Sequence, residues 1–298
     1  MSLLESELIL NSDGSVYHLH LKPEHIADTI IFVGDPDRVE IVTQLFDSIE
    51  FSIQKREFKT QTGKYRGIRM SVISTGIGAD NIDIVMNELD ALVNIDFSTR
   101  TPKKTTTSLN IIRIGTSGAL QKDIPIDAFL MSSYGLDING MLRSYQTEAI
   151  ANSNIENAFV NQTDWSTKKA FPLVIENDNS LASQLDSADI LKGMTATANG
   201  FYAPQSRVLR LPLEDASLQK KITNFNFKKI RVTNLEMETA AIYGLAKLLG
   251  HKACSMNAIL ANRITGDFSK TPSKTIDKLI QYTLDKLVSN KVLSLKKT

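Results

Sequence analysis

Two carboxylates, Glu236 and Glu238, flank Met237 just after a run of strand-forming residues at 229–233 and at the start of a helical repeat. That repeat places Met237, Ala240, Ala241, Gly244, Leu245, Leu248 and Leu249 at three- and four-residue steps, the spacing of one buried helix face. Junctions of this kind are where open α/β sheets bind ligands. A carboxylate repels phosphate but accepts hydrogen bonds from vicinal hydroxyls, so the pair suits a sugar. The plainer alternative is an acidic helix start that complements the helix dipole.

A second chemistry is written in three segments that carry arginine, two of them glycine-rich. They are Gly34-Asp35-Pro36-Asp37-Arg38, Arg56-Glu57-Phe58 and Arg113-Ile114-Gly115-Thr116-Ser117-Gly118. Glycines let backbone N–H groups approach an anion, and a guanidinium matches phosphate oxygens in a fork. Arg113 interrupts an apolar strand, where an unpaired charge is costly, so it either binds an anion or pairs with a nearby carboxylate. Neither glycine-rich turn matches a P-loop, and Gly76-Ile77-Gly78 lacks the third glycine of a dinucleotide fingerprint.

A third chemistry lies in the loop Phe201-Tyr202-Ala203-Pro204-Gln205-Ser206-Arg207. Gln205 both donates and accepts, and Arg207 only donates. Together they complement a ring edge with carbonyls and one N–H, such as uracil, and Phe201 offers a stacking face. A polar surface loop with one packed aromatic is the alternative. His18 lies in a short alternating stretch, with Val16, His18 and His20 on one side. His18 and His20 alone do not complete a metal site, so no metal is expected.

These residues need a scaffold, and its class is legible. Strands are expected at 29–33, 69–75, 110–114, 126–131, 194–198, 229–233 and 253–261. Helices are expected after Asp35, which is a good N-cap ahead of Pro36, after Gly78, and over the C-terminal repeat from Ile276 to Val288. The Gly115–Gly118 stretch is read as a turn. Alternation of this kind gives an α/β fold around a mixed sheet in one domain. Residues 96–108 read as an exposed loop insertion, 148–164 as polar and weakly periodic, and 296–298 as a frayed tail.

Bulk properties bound the rest. The 298 residues carry a net charge of +1, which gives no global field for nucleic acid or an anionic membrane. Cys254 is the only cysteine, so neither an internal disulfide nor a cysteine metal cluster forms. No signal peptide and no membrane-length apolar run stand out, and the cytoplasm is the expected compartment.

Taken in order along the chain, these segments resemble the nucleoside phosphorylases of the hexameric purine and uridine type, most closely the uridine branch. The matching stretches are those around Gly34, Arg56, Gly76, Arg113, Phe201 to Arg207 and Glu236 to Glu238, and they span most of the chain. The resemblance implies a three-layer α/β/α fold and assigns roles. Gly34, Arg38, Arg113 and Thr116 would bind inorganic phosphate, with Arg56 completing that site from a neighbouring subunit. Met237 and Glu238 would hold the ribose, and the neighbour's copy of His18 would reach the 5′-hydroxyl. Phe201, Gln205, Arg207 and Glu236 would surround the base, with Thr116 also touching the nucleoside. Arg207, Gln205, Glu238 and Arg113 would carry catalysis. The implied reaction is phosphate-dependent cleavage of uridine to uracil and ribose 1-phosphate, without a cofactor, in a homo-oligomer that is at least a dimer and expected as a hexamer.

The alternatives are a purine or broad-specificity phosphorylase, a nucleosidase, and a non-catalytic nucleoside-binding relative. Purine-specific members use an aspartate after the strand that follows the Glu-Met-Glu helix. Here that stretch reads Ile259-Leu260-Ala261-Asn262-Arg263-Ile264, with no aspartate before Asp267. The family's monovalent cation site would lie near Glu57 and Ile77. Asn81 replaces its usual serine, so cation binding is left open.

Overall fold

The computed structural model describes residues 2–295, and the tail expected to fray, 296–298, lies outside them. The chain alternates as expected. The first part contains β1 (Thr29–Val33), α1 (Pro36–Thr43), β2 (Ser48–Lys55), β3 (Phe58–Tyr65), β4 (Ile68–Ser74) and α2 (Ala79–Asn94). The middle contains β5 (Ile95–Asp96), β6 (Thr101–Pro102), β7 (Asn110–Ala119), β8 (Phe129–Asp137), α3 (Ser153–Thr163), β9 (Leu173–Glu176) and α4 (Asn179–Leu185). The last part contains β10 (Leu191–Thr197), α5 (Leu218–Asn224), β11 (Asn226–Phe227), β12 (Ile230–Glu236), α6 (Thr239–Leu249), β13 (Lys252–Asn262), β14 (Asp267–Phe268) and α7 (Pro272–Leu295).

One mixed sheet runs in the order β11-β12-β10-β8-β13-β7-β1-β4-β3-β2. The inner pairs β4–β1–β7–β13 and β8–β10–β12 are parallel, and β13 meets β8 antiparallel. A further pairing joins β12 to the far end of β7, at Asn234 with Ala119 and Leu235 with Gly118. The sheet therefore curls until five of its strands close on one another.

Side-chain alternation assigns the two faces. On β1, Ile30 and Phe32 pack with α2 and α6, while Ile31 and Val33 pack with α1, α4 and α7. On β7, Ile111 joins the first group and Ile112 and Ile114 the second. A smaller cluster under α3 and α5 covers the β8–β10–β12 end. Among the described residues no helix is long and apolar enough to cross a membrane.

Several local expectations differ from the structure. The glycine-rich stretch 115–118 is the second half of β7 and not a turn. The strand expected at 126–131 lies further on, as β8. Residues 148–164 contain α3, capped by the Asn152 side chain, which accepts from the Ile155 N–H. Its fully buried apolar residues are Ile155 and Phe159, with Ala158 and Val160 partly buried beside them. The Glu156 carboxylate that dilutes their pattern is buried and accepts N–H groups of Asn152 and Val174. The 96–108 insertion starts as a short hairpin, β5–β6. At its tip Arg100 donates to the carbonyls of Leu3, Leu4 and Leu8, which ties down the N-terminal arm. Residues 17–19 form a turn after an isolated bridge between Leu10 and Val16, so His18 is not on a strand. The Asp35 cap is as expected: its carboxylate accepts from the Asp37 N–H at 2.9 Å.

Candidate active site

The C-terminal ends of β1, β4, β7 and β12 converge on a cavity of about 780 Å3. Nearly all the residues singled out in the sequence line it. Gly34 and Arg38 follow β1, Arg113 and Thr116 lie on β7, and Phe201, Gln205 and Arg207 follow β10. Glu236, Met237 and Glu238 come from the end of β12 and the residues after it. His18 and Arg56 stand outside it.

Arg113 is the hub of the sugar end. Its place on β7, two residues from Ile111, turns it toward α2 and α6. Nη2 donates to Glu238 Oε2 at 2.6 Å and lies 3.0 Å from Glu236 Oε2, while Nη1 donates to Asn257 Oδ1 at 3.1 Å. The side chain curls back over its own strand. A Cβ at position 115 would sit 1.9 Å from Nη1, so only glycine leaves room for the guanidinium. Burial works against the charge, but the Glu236 and Glu238 carboxylates outweigh it and hold Arg113 above the usual arginine value.

Glu236 is the last residue of β12, and α6 starts only at Thr239, with Glu238 in the N-cap position. Both Glu236 oxygens are used inside the protein. Oε1 accepts from the Thr197 hydroxyl at 2.7 Å, and Oε2 accepts from the N–H groups of Glu238 and Thr239, each at 2.9 Å. Glu236 therefore ties the start of α6 to Arg113 while still lining the cavity. Glu238 is held differently. Its Oε1 accepts from the Gly78 N–H at 2.8 Å, where Gly78, at φ +97°, starts α2. Burial pushes the Glu238 carboxyl up, Arg113 opposes that, and the like charge of Glu236 adds to it.

Arg38 contrasts with Arg113. It is half-buried on the cavity wall, and its guanidinium has no hydrogen-bond or ion-pair partner among the described residues. Burial, then the like charge of Arg113, pull it below the usual arginine value. A guanidinium stays protonated regardless, so it is a cation with no carboxylate in direct contact among the described residues, attracted only weakly by Asp35 and Glu238. The Thr116 hydroxyl also has no partner among the described residues, and it lines the same cavity.

The other end of the cavity is built by the loop after β10. Gln205 is buried in a single 3-10 turn. Its Oε1 accepts from Arg207 Nη1 at 2.5 Å, and the same nitrogen donates to the Phe201 carbonyl at 2.7 Å. The Arg207 guanidinium lies 3.9 Å from the Phe201 ring centroid, so one face of that ring is taken by the arginine. Gln205 Nε2 is left as a donor without a partner among the described residues.

Sequence reasoning missed Arg263. It follows β13, its stem packs on Gly118, and Nη2 donates to Gln219 Oε1 at 2.6 Å. Its Nη1 is buried with no hydrogen-bond partner. Burial, then Arg207, pull Arg263 down to about 10. Arg207 lines the base end and Arg263 acts on it from nearby, and among the described residues no acid is paired to either. The sequence signal was an arginine just after a buried strand, whereas Arg113 stood out by interrupting one.

His18 and Arg56 fall on one patch. Arg56 is exposed at the β2–β3 turn with φ +56°. The adjacent Lys55 donates to the Tyr17 carbonyl at 2.5 Å and sits 4.7 Å from the Tyr17 ring, beside His18. The turns that carry the two residues expected to serve a neighbour's site are thereby linked through Lys55 and Tyr17.

The model of the phosphorylase superfamily matches residues 28–288. A uridine phosphorylase of Thermococcus kodakarensis is 30% identical over 267 residues, covering 88% of this chain and 83% of the relative. A DeoD-type purine nucleoside phosphorylase of Bacillus velezensis is 25% identical over 252 residues, covering 84% and 89%. The crystal structure of a Trypanosoma brucei nucleoside phosphorylase, described as showing uridine phosphorylase activity, superposes with a TM-score of 0.86 at 27% identity. It covers 95% of this chain and all of that one.

Proposed function

The chain belongs to the phosphorylase superfamily, and from that premise we propose that it cleaves uridine with inorganic phosphate to give uracil and ribose 1-phosphate. The observation that carries this reading is Arg38, an unpaired cation on the wall of a cavity whose neighbouring arginine is already paired. A nucleosidase that uses water has no need of such a group.

The residues lining the cavity support the following order within it. Phosphate is held by Arg38, with Thr116 and the backbone at Gly34 beside it. Arg113, occupied by two carboxylates, presents Glu238 to the ribose hydroxyls and supplies positive potential to the phosphate. A phosphate oxygen forms the bond to C1′ while the bond from C1′ to the base breaks, and its electron pair passes into the uracil ring. Gln205 Nε2 donates to one carbonyl of the ring, and Arg207 faces the charge that develops there, with nearby Arg263 adding positive potential. Donors preorganised around developing charge usually lower such a barrier more than any other single effect. The leaving uracil takes up a proton after departure, and no covalent enzyme intermediate and no resident cofactor are required.

The purine reading meets an obstacle at the end of β13. The Asn262 carboxamide there donates to the Gln121 and Ile124 carbonyls and accepts from the Ile264 and Thr265 N–H groups. It cannot protonate a base nitrogen. Asp267 is exposed and bonded to the Thr265 hydroxyl. The site is completed across a subunit boundary by the His18 and Arg56 patch, in a cytoplasmic homo-oligomer of at least two copies. A substrate panel of uridine, thymidine and inosine at saturating phosphate tests the proposal. Turnover of uridine far above inosine supports it, and turnover of inosine alone rejects it.

A further inference from the structure

We infer that Glu88 is a positioning residue that sets the hydrogen and the orientation of the His18 ring. The inference rests on the reading that His18 faces the 5′-hydroxyl of nucleoside bound to a neighbouring copy. Glu88 lies in the third turn of α2 and gathers the 17–19 turn onto one carboxylate. Oε1 accepts from the His18 backbone N–H at 2.9 Å and meets Nδ1 of the ring at 2.6 Å. Oε2 accepts from the Leu19 backbone N–H at 2.8 Å. An ionised carboxylate can only accept, so the hydrogen sits on Nδ1. In the neutral ring Nε2 then carries the lone pair.

The surroundings leave that atom available. Leu19 and Leu21 are fully buried and anchor the turn, while 27% of the His18 side chain is exposed. The ring makes no other hydrogen bond among the described residues. Holding the arm would require only the two backbone contacts. The contact to Nδ1 defines which way the ring points and leaves Nε2 to accept from a hydroxyl. The same helix starts at Gly78, whose N–H holds Glu238. Ten residues of α-helix, about 15 Å, thus link the carboxylate of this chain's own site to the mount of the histidine lent to the next.

Nitrogen-15 NMR of histidine-labelled, assembled enzyme reads the ring directly. A hydrogen on Nδ1 of His18 is expected, and an unprotonated Nδ1 overturns the inference. The functional arm compares kcat/KM for uridine and 5′-deoxyuridine in wild type, Glu88→Ala and His18→Ala. Loss of one hydrogen bond should lower the preference for uridine over 5′-deoxyuridine about two- to tenfold in both variants. A preference lost in His18→Ala but kept in Glu88→Ala overturns the role of Glu88. A preference kept in His18→Ala also removes His18 from the 5′-hydroxyl, while leaving phosphate dependence untouched. If Glu88→Ala does not assemble, the wild-type NMR result decides alone.

Discussion

Arg113 and Glu238 meet at 2.6 Å with both side chains buried, and Glu236 closes on the same guanidinium nitrogen from the other side. The arginine that interrupts an apolar strand is therefore the counter-charge for two carboxylates. Replacing it with methionine leaves both acids buried without a cation. Breaking a buried pair in this way costs about 3–5 kcal/mol. Unpaired buried carboxylates have raised pKa values, so they are neutral at low pH and strained as pH rises. Arg113→Met should accordingly recover part of its stability in mildly acid buffer, as read by urea unfolding. Equal destabilisation across the pH range would contradict the pairing.

Arg38 should behave in the opposite way. No carboxylate touches it among the described residues, and its removal relieves burial and repulsion with Arg113 that outweigh the attraction of Asp35 and Glu238. Arg38→Ala should raise the KM for phosphate about tenfold to a hundredfold, the loss of a charge-assisted hydrogen bond worth about 1.5–3 kcal/mol. Its melting temperature should not fall. A stable variant that still saturates at the wild-type phosphate concentration would remove Arg38 from the anion site.

Glu238 carries a pH signature of its own. Burial raises its carboxyl above the usual 4.5, so its stabilising contribution is present below that value and is lost as pH rises through the folded-state value. Glu238→Gln keeps an acceptor for the Gly78 N–H but has no charge to bury. The variant should gain thermal stability relative to wild type as pH climbs, while kcat/KM for uridine falls about tenfold to a hundredfold. A variant that loses stability increasingly with rising pH would contradict the assigned direction.

Gly115 offers a steric test. Gly115→Ala places a Cβ 1.9 Å from Arg113 Nη1 and must displace the guanidinium. Activity should drop as far as in Arg113→Met. Gly118→Ala is the control, because its Cβ would meet the Arg263 stem at an ordinary 3.4 Å. Comparable thermal shifts in the two variants would mean that Gly115 does not make room for Arg113.

At the base end, Arg207→Ala should lower kcat/KM for uridine about tenfold to a hundredfold and leave the KM for phosphate unchanged. Steady-state kinetics in both substrates check this. An unchanged rate with uridine would remove Arg207 from contact with the base.

What the sequence revealed depended on how local the cause was. The Asp35 cap and the strand at 29–33 are set by adjacent residues, and both stand as expected. The arginines and the Glu-Met-Glu segment were legible because charges are rare in apolar runs. The glycines at 115 and 118 read as a turn, yet both lie on β7, and the one at 115 makes room for Arg113, a cause that exists only once the side chains are in place. Glu236 lines the cavity as expected, but nothing in sequence shows that Thr197 and the start of α6 also hold its carboxylate. Arg263 was passed over because its unpaired nitrogen and its nearness to Arg207 arise from β13 and a distant loop meeting in space.

Phosphorus NMR of a uridine reaction, run with and without inorganic phosphate, addresses the central claim most directly. An anion held at Arg38 as the nucleophile predicts that uracil appears only when phosphate is supplied, matched by one equivalent of ribose 1-phosphate. Uracil release at the same rate in phosphate-free buffer, with free ribose as the product, would contradict it.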